Sequence, residues 1–99
     1  MNVKINSVHF KADRKLEAFI QEKVSKLTHY FDGIVSADVM LKLDNNETPE
    51  NKIAEIKLSI PGNDLYAKKQ SKTFEEATDE VVDALKVQLK KYKEKLRGL

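Results

Sequence analysis

No cysteine occurs in the 99 residues, which removes disulfides, thiolate nucleophiles and cysteine-ligated metal sites together. Histidine is scarce as well. His9 and His29 stand far apart, and with no third histidine or cysteine beside them no metal site is expected. The three glycines, Gly33, Gly62 and Gly98, each stand alone at the ends of predicted elements, so no glycine-rich loop is present to cradle a phosphate. Carboxylates and serines are present, but none sits in a context that organises catalysis; neither enzymatic activity nor a cofactor is expected. Long apolar runs are missing too. The opening Met1-Asn2-Val3-Lys4-Ile5-Asn6 lacks the apolar region of a signal peptide, and no later run is long enough to cross a bilayer, so a cytoplasmic protein is expected. Finally, there is little excess of one charge. Eighteen Lys and Arg against sixteen Asp and Glu leave +2, so any affinity for nucleic acid has to come from segregation of charge.

What is present is a globular composition, 40% hydrophobic and 34% charged, the latter above the usual share of about a quarter. Residues 1–99 are expected to form one domain with a modest core. Val3 and Ile5 alternate with polar neighbours and predict a short strand. Asp13 is placed to cap a helix carrying Leu16, Phe19, Ile20, Val24, Leu27, Tyr30 and Phe31, with Gly33 just past its end. Ala37, Val39, Leu41 and Leu43 predict a second strand ending at a turn, Asp44-Asn45-Asn46, and the loop continues from Glu47 to Asn51. Ala54, Ile56, Leu58 and Ile60 predict a third strand, stopped by Pro61-Gly62, and Leu65 and Ala67 a fourth running toward Gln70. Thr73 and Glu76 have capping-box spacing for a final helix.

The order strand, helix, three strands, helix predicts an α+β fold: a four-stranded mixed sheet with two roughly parallel helices on one face. The first two strands should be parallel across their helical crossover. The expected core is Leu16, Ile20, Leu27, Val39, Leu41, Ile56, Leu58, Phe74, Val81, Leu85 and Leu89. The other face of the sheet, with Lys4, Met40, Lys42, Lys57, Tyr66 and Lys68 among Asp38, Glu55 and Asp64, reads as an ordinary solvated surface.

The final helix segregates its charge. Its apolar stripe, Phe74, Ala77, Val81, Leu85, Gln88, Leu89, Tyr92 and Leu96, runs the full length, but Glu75, Glu76, Asp79, Glu80 and Asp83 crowd the first half. Lys86, Lys90, Lys91, Lys93, Lys95 and Arg97 crowd the second. Complementing the helix dipole explains bases in the last turn only, because that effect fades within a turn. The earlier lysines leave room for a polyanionic partner. At 100° per residue Lys86, Lys90, Lys93 and Arg97 fall on one flank of the stripe, and Lys91 and Lys95 on the other with Ala84 and Val87. Each flank taken alone reads as a solvated face, and either could meet phosphates. On the first helix Lys23 falls inside the apolar stripe, where an unpaired ammonium would be costly; its stem is expected to cross apolar surface while the charge reaches out at the edge toward an acid. Lys26 sits at the stripe's flank.

The run Ala18-Phe19-Ile20-Gln21-Glu22-Lys23-Val24-Ser25-Lys26-Leu27 with Tyr30-Phe31-Asp32, and the ending Gln88-Leu89-Lys90-Lys91-Tyr92-Lys93-Glu94-Lys95-Leu96, resemble the ribosome hibernation promoting factor and ribosome-associated inhibitor A family, over essentially the whole chain. The resemblance implies a non-catalytic domain that binds the small ribosomal subunit near the decoding centre and occludes messenger and transfer RNA, inhibiting translation in stationary-phase, stressed bacteria. The family's basic positions, which line a ribosomal RNA-binding face, fall here on Lys23, Lys26, Lys91 and Lys95; Lys86, Lys90 and Lys93 are additional candidate contacts. The chain departs from the family's pattern at Ala84 and Val87, where basic residues are frequent, and at Thr73, where an aspartate is. Ending at Leu99, it resembles the short form, so joining two ribosomes would require a separate factor. Two alternatives stand beside this. One is a protein-interaction module acting on a polymerase or similar partner through the acidic half of the last helix. The other is a generic double-stranded RNA binder. An RNA-recognition motif is disfavoured, its aromatic-glycine signature being absent.

Overall fold

The computed structural model describes residues 1–45 and 48–98. The chain runs β1 (Asn2–Ser7), α1 (Arg14–Ser25) continued by a 3-10 turn (Lys26–His29), β2 (Ser36–Leu43), β3 (Lys52–Ile60), β4 (Asn63–Ser71) and α2 (Phe74–Leu96). Asn46 and Glu47, within the expected turn and loop after β2, lie outside the described residues. The four strands lie in sequence order. β1 pairs parallel with β2, whereas β2–β3 and β3–β4 are antiparallel. This is the expected mixed sheet, and both helices cover the same face.

Local chemistry accounts for each boundary. The Asp13 carboxylate accepts the amide of Leu16 at 2.8 Å and starts α1. The Thr73 hydroxyl accepts the amide of Glu76 at 3.0 Å and starts α2. Between β3 and β4, Pro61 and Gly62 form a two-residue turn, and Gly62 takes φ +79, which a residue with a Cβ would resist. Gly33 departs from expectation. It is not left-handed and caps no helix; α1 has already tightened into the 3-10 turn. A Cβ at Gly33 would lie 2.8 Å from the Phe31 ring, so the position is small because an aromatic side chain folds back over it.

The core lies between the sheet and the helices. Ile20, Val24, Leu27, Leu41, Ile56, Leu58, Val81, Leu85 and Leu89 are fully buried in it. Of the expected core, Phe74 alone is only half-buried, its ring stacked on Phe10 at 5.0 Å between centroids. The stripe of α2 is displaced from the one read off the sequence. Thr78 and Val82 are buried although they stood outside it, and Leu96 is 61% exposed although it stood inside. Both differences follow from neighbours. With α1 on the same face of the sheet, α2 buries part of its flank as well as its sheet-facing side. At the other end, Tyr92 already reaches the β3–β4 turn, donating its hydroxyl to the Pro61 carbonyl at 2.9 Å, so Leu96, one turn later, has no sheet beneath it.

The Thr78 hydroxyl is fully buried and hydrogen-bonds to nothing among the described residues. Leaving a polar group in that state costs roughly 1–3 kcal/mol, and valine has nearly the same shape. Thr78→Val is therefore expected to raise the free energy of unfolding by about 1 kcal/mol, read as a higher denaturant midpoint at unchanged slope. A lower midpoint would show that the hydroxyl is in fact satisfied.

Candidate nucleic-acid interface

The basic residues singled out in the sequence lie on the helical layer, where α1 and α2 meet along a seam of named contacts. Lys23 of α1 bridges to Asp79 of α2, Nζ to Oδ1 at 3.2 Å, and its ammonium also lies 5.6 Å from the centre of the Phe19 ring. This is the expected escape of a stripe lysine toward an acid. Lys26 pairs with Glu22 at 3.6 Å, one helical turn back. Further along the seam Lys86 pairs with Asp83 at 3.6 Å and lies over the Tyr30 ring at 5.4 Å, while Phe31 meets Tyr92 edge-on at 5.5 Å. Exposed pairs of this kind contribute at most about 1 kcal/mol each, so they do not withhold these lysines from a phosphate.

The two flanks of α2 have separate surroundings. Lys93 and Arg97 line a hollow with residues 28–32, on the α1 side. Lys91 and Lys95 line another, over Gly62, Asn63 and Leu65 beside the edge strand β4. There the Gln88 amide donates to the Tyr66 carbonyl at 2.9 Å and ties α2 to β4. The structure thus brings Lys23 and Lys26 together, and sets Lys91 and Lys95 apart from them across the exposed ridge of α2. Lys86 and Lys93 lie on the Lys23 side, and Lys90 shares a shallow groove with Lys93 and Arg97. Lys90, Lys91, Lys93, Lys95 and Arg97 make no ion pair among the described residues, and with Glu94 as the one acid in residues 90–97 this end of α2 keeps a positive excess.

Ala84 differs from the sequence reading, which took it as free surface like Val87. It is half-buried and packs against the core, and only Val87, 53% exposed, is open to solvent. On the opposite face of the sheet two ion pairs form. Lys42 reaches the Glu55 carboxylate at 2.7 Å, the Tyr66 hydroxyl donates to it at 2.5 Å, and Lys57 meets Asp64 at 3.6 Å. The bond from Lys42 and then that from Tyr66 hold the Glu55 carboxyl below its ordinary pKa, and the same carboxylate pushes the Tyr66 phenol up. Ile53 lies on this face too, buried between Lys42 and Gln70 of the flanking strands, which the alternation in β3 had not indicated. Among the described residues no group of three or more histidine or acidic side chains is placed to hold a metal, and no helix is long and apolar enough to cross a membrane.

A family model described as Sigma 54 modulation protein / S30EA ribosomal protein matches residues 3–97. The chain belongs to this family. Its members are non-enzymatic proteins associated with the ribosome. The ribosome hibernation promoting factor of Pseudomonas putida is 32% identical over all of this chain and 93% of its own. That of Klebsiella oxytoca is 28% identical over 98% of each. Among solved structures, the N-terminal domain of Thermus thermophilus Protein Y superposes with a TM-score of 0.80 at 26% identity, covering 93% of this chain and 99% of that one. A ribosomal subunit interface protein from Coxiella burnetii reaches 0.83 at 19% identity over 94% and 98%, a likeness of fold alone. Membership of the family associates this chain with the ribosome, and the basic residues singled out in the sequence stand on its helical layer.

Proposed function

We propose that the protein is a single-domain hibernation factor, residues 1–99, that places its helical layer against small-subunit ribosomal RNA near the decoding centre. There it blocks messenger and transfer RNA and so inhibits translation in stationary phase. The observation that carries this reading is the end-to-end similarity to the Pseudomonas putida factor. Lys23, Lys26, Lys91 and Lys95 make the phosphate contacts, and Lys86, Lys90 and Lys93 add to them. The separation of these lysines across α2 supports a cleft-filling role. A helix with its side chains is about 10–12 Å across, so cations on both of its sides suit two RNA walls rather than one duplex lying along one flank. Affinity then comes from phosphate neutralisation, and specificity from the shape of the cleft.

Co-sedimentation with purified small subunits, with free RNA duplex as competitor at equal phosphate concentration, tests the reading. Ribosomal binding that resists the duplex is expected. Equal competition would make the protein a generic duplex binder, and failure to pellet would remove the ribosomal reading. The flank with Lys91 and Lys95 carries a second check. Since Val87 is the exposed member of its pair, Val87→Arg is expected to tighten small-subunit binding by on the order of 1 kcal/mol, the scale of one exposed charge-assisted contact. Asn6→Arg, on the far face of the sheet, adds the same charge and is expected to do less; equal gains would mean that net charge alone matters.

A further inference from the structure

The hollow between the 3-10 turn and the last turn of α2 brings aromatic and aliphatic surface together with two cations and an acid. Its volume is about 380 Å³, inside the roughly 300–1,000 Å³ span of small-ligand pockets. Two of its walls are large side chains open in part to solvent: Tyr30, 37% exposed, and Leu96, which extends past the end of the sheet. Two more are the cations Lys93 and Arg97, neither in an ion pair among the described residues, and His29 and the acid Asp32 complete the rim. The segment presenting Tyr30 is anchored. Its amide donates to the Leu27 carbonyl at 3.0 Å, the Lys86 ammonium lies 5.4 Å from the centre of its ring, and the neighbouring Phe31 is held edge-on to Tyr92.

The geometry points to a receiving site for one unstacked nucleotide of RNA, with its base on the Tyr30 ring and against Leu96 and its phosphate on Lys93 and Arg97. An apolar ligand would not need the two cations, and a bare anion would not need the aromatic and aliphatic walls. A nucleotide has both a π face and a phosphate. Asp32 gives the site a base preference. A carboxylate only accepts hydrogen bonds, and the Watson–Crick edge of guanine offers it two adjacent N–H donors, whereas adenine presents a ring acceptor there. The setting of this site rests on the ribosomal reading above, but its test does not.

Guanosine and adenosine 5′-monophosphates are titrated into the full chain, and backbone amide NMR shifts are followed. Guanosine monophosphate is expected to move residues 28–32 and 93–98 together and to bind more tightly than adenosine monophosphate. Tyr30→Ala should weaken it by at least about fivefold, the lower end of what one base–aromatic stack contributes, whereas Tyr30→Phe, which keeps the ring, should not. Asp32→Asn should abolish the preference for guanine. Thermal melts of the variants check that the fold survives. Shifts spread evenly over all the lysines, or binding indifferent to Tyr30→Ala, would overturn the site, and equal binding of both nucleotides would overturn the role of Asp32. Sedimentation with small subunits is scored separately. A chain that pellets but shows no shifts in the hollow keeps the ribosomal reading and loses the site; the converse keeps the site and loses the reading.

Discussion

Leu85→Ala is expected to lower the stability of the fold by about 2–5 kcal/mol, the range for truncating a buried leucine whose cavity cannot fully close. Leu85 is completely excluded from solvent at the middle of α2, within the core formed by the helices and the sheet. Against a typical total of roughly 5–15 kcal/mol for a domain, such a loss removes a large share of the stability. In a chain of this size each kcal/mol shifts the melting temperature by about 4–8 °C. Leu96→Ala is the control. It sits on the same predicted stripe of the same helix, yet is mostly exposed, so its loss should stay within about 0.5 kcal/mol, as for an ordinary surface substitution. A change below about 1 kcal/mol at Leu85, or equal losses at both leucines, would mean that the buried face of α2 is assigned wrongly.

That contrast shows what was legible in the sequence. Alternation in the strands and three- to four-residue spacing in the helices report which side of each element is apolar. Capping chemistry at Asp13 and Thr73 reports where the helices begin. These signals are local, and the element order and the sheet followed from them. What an element meets is not local. Nothing near Leu96 says that the sheet ends beneath Tyr92, and nothing near Thr78 or Val82 says that a second helix covers them. Gly33 carried the right signal for a close approach but was read as a left-handed cap, because the sequence does not reveal that α1 tightens into a 3-10 turn before reaching it. The same limit applies to the candidate interface. The violation of pattern at Lys23 was visible, and so was its need for an acid; that the acid is Asp79, on the other helix, required the fold. The two basic flanks of α2 were separable at 100° per residue, but which of them faces α1 is set by how the helices pack. Arg97 and Tyr30 escaped notice as partners for the same reason, since their hollow forms only where two distant turns converge.

Reversing Lys23 and Lys26 together with Lys91 and Lys95 to glutamate is expected to abolish co-sedimentation with small ribosomal subunits while leaving the thermal transition nearly in place. The fold should tolerate it, because all four side chains reach solvent and, among the described residues, only Lys23 and Lys26 of the four make ion pairs. Lys23→Glu sets a carboxylate against Asp79 and Lys26→Glu sets one against Glu22, exposed like-charge pairs that cost about 1 kcal/mol or less each. The two pairs of lysines stand on opposite sides of α2, so each should matter by itself. Lys23→Ala with Lys26→Ala, and separately Lys91→Ala with Lys95→Ala, should each flatten the log–log dependence of affinity on salt. The expected change is roughly 0.7–0.9 of a unit per lost phosphate contact, the lower figure applying to single strands. If only one pair changes the slope, RNA meets one side of the helix and the cleft-filling arrangement is wrong. If neither does and the reversed variant still pellets, the RNA face lies away from these lysines altogether. If the reversed variant fails to fold, Lys23 owes its place in the apolar stripe to structure, and its two alanine substitutions, which remove charge without opposing Asp79, then decide its part in binding.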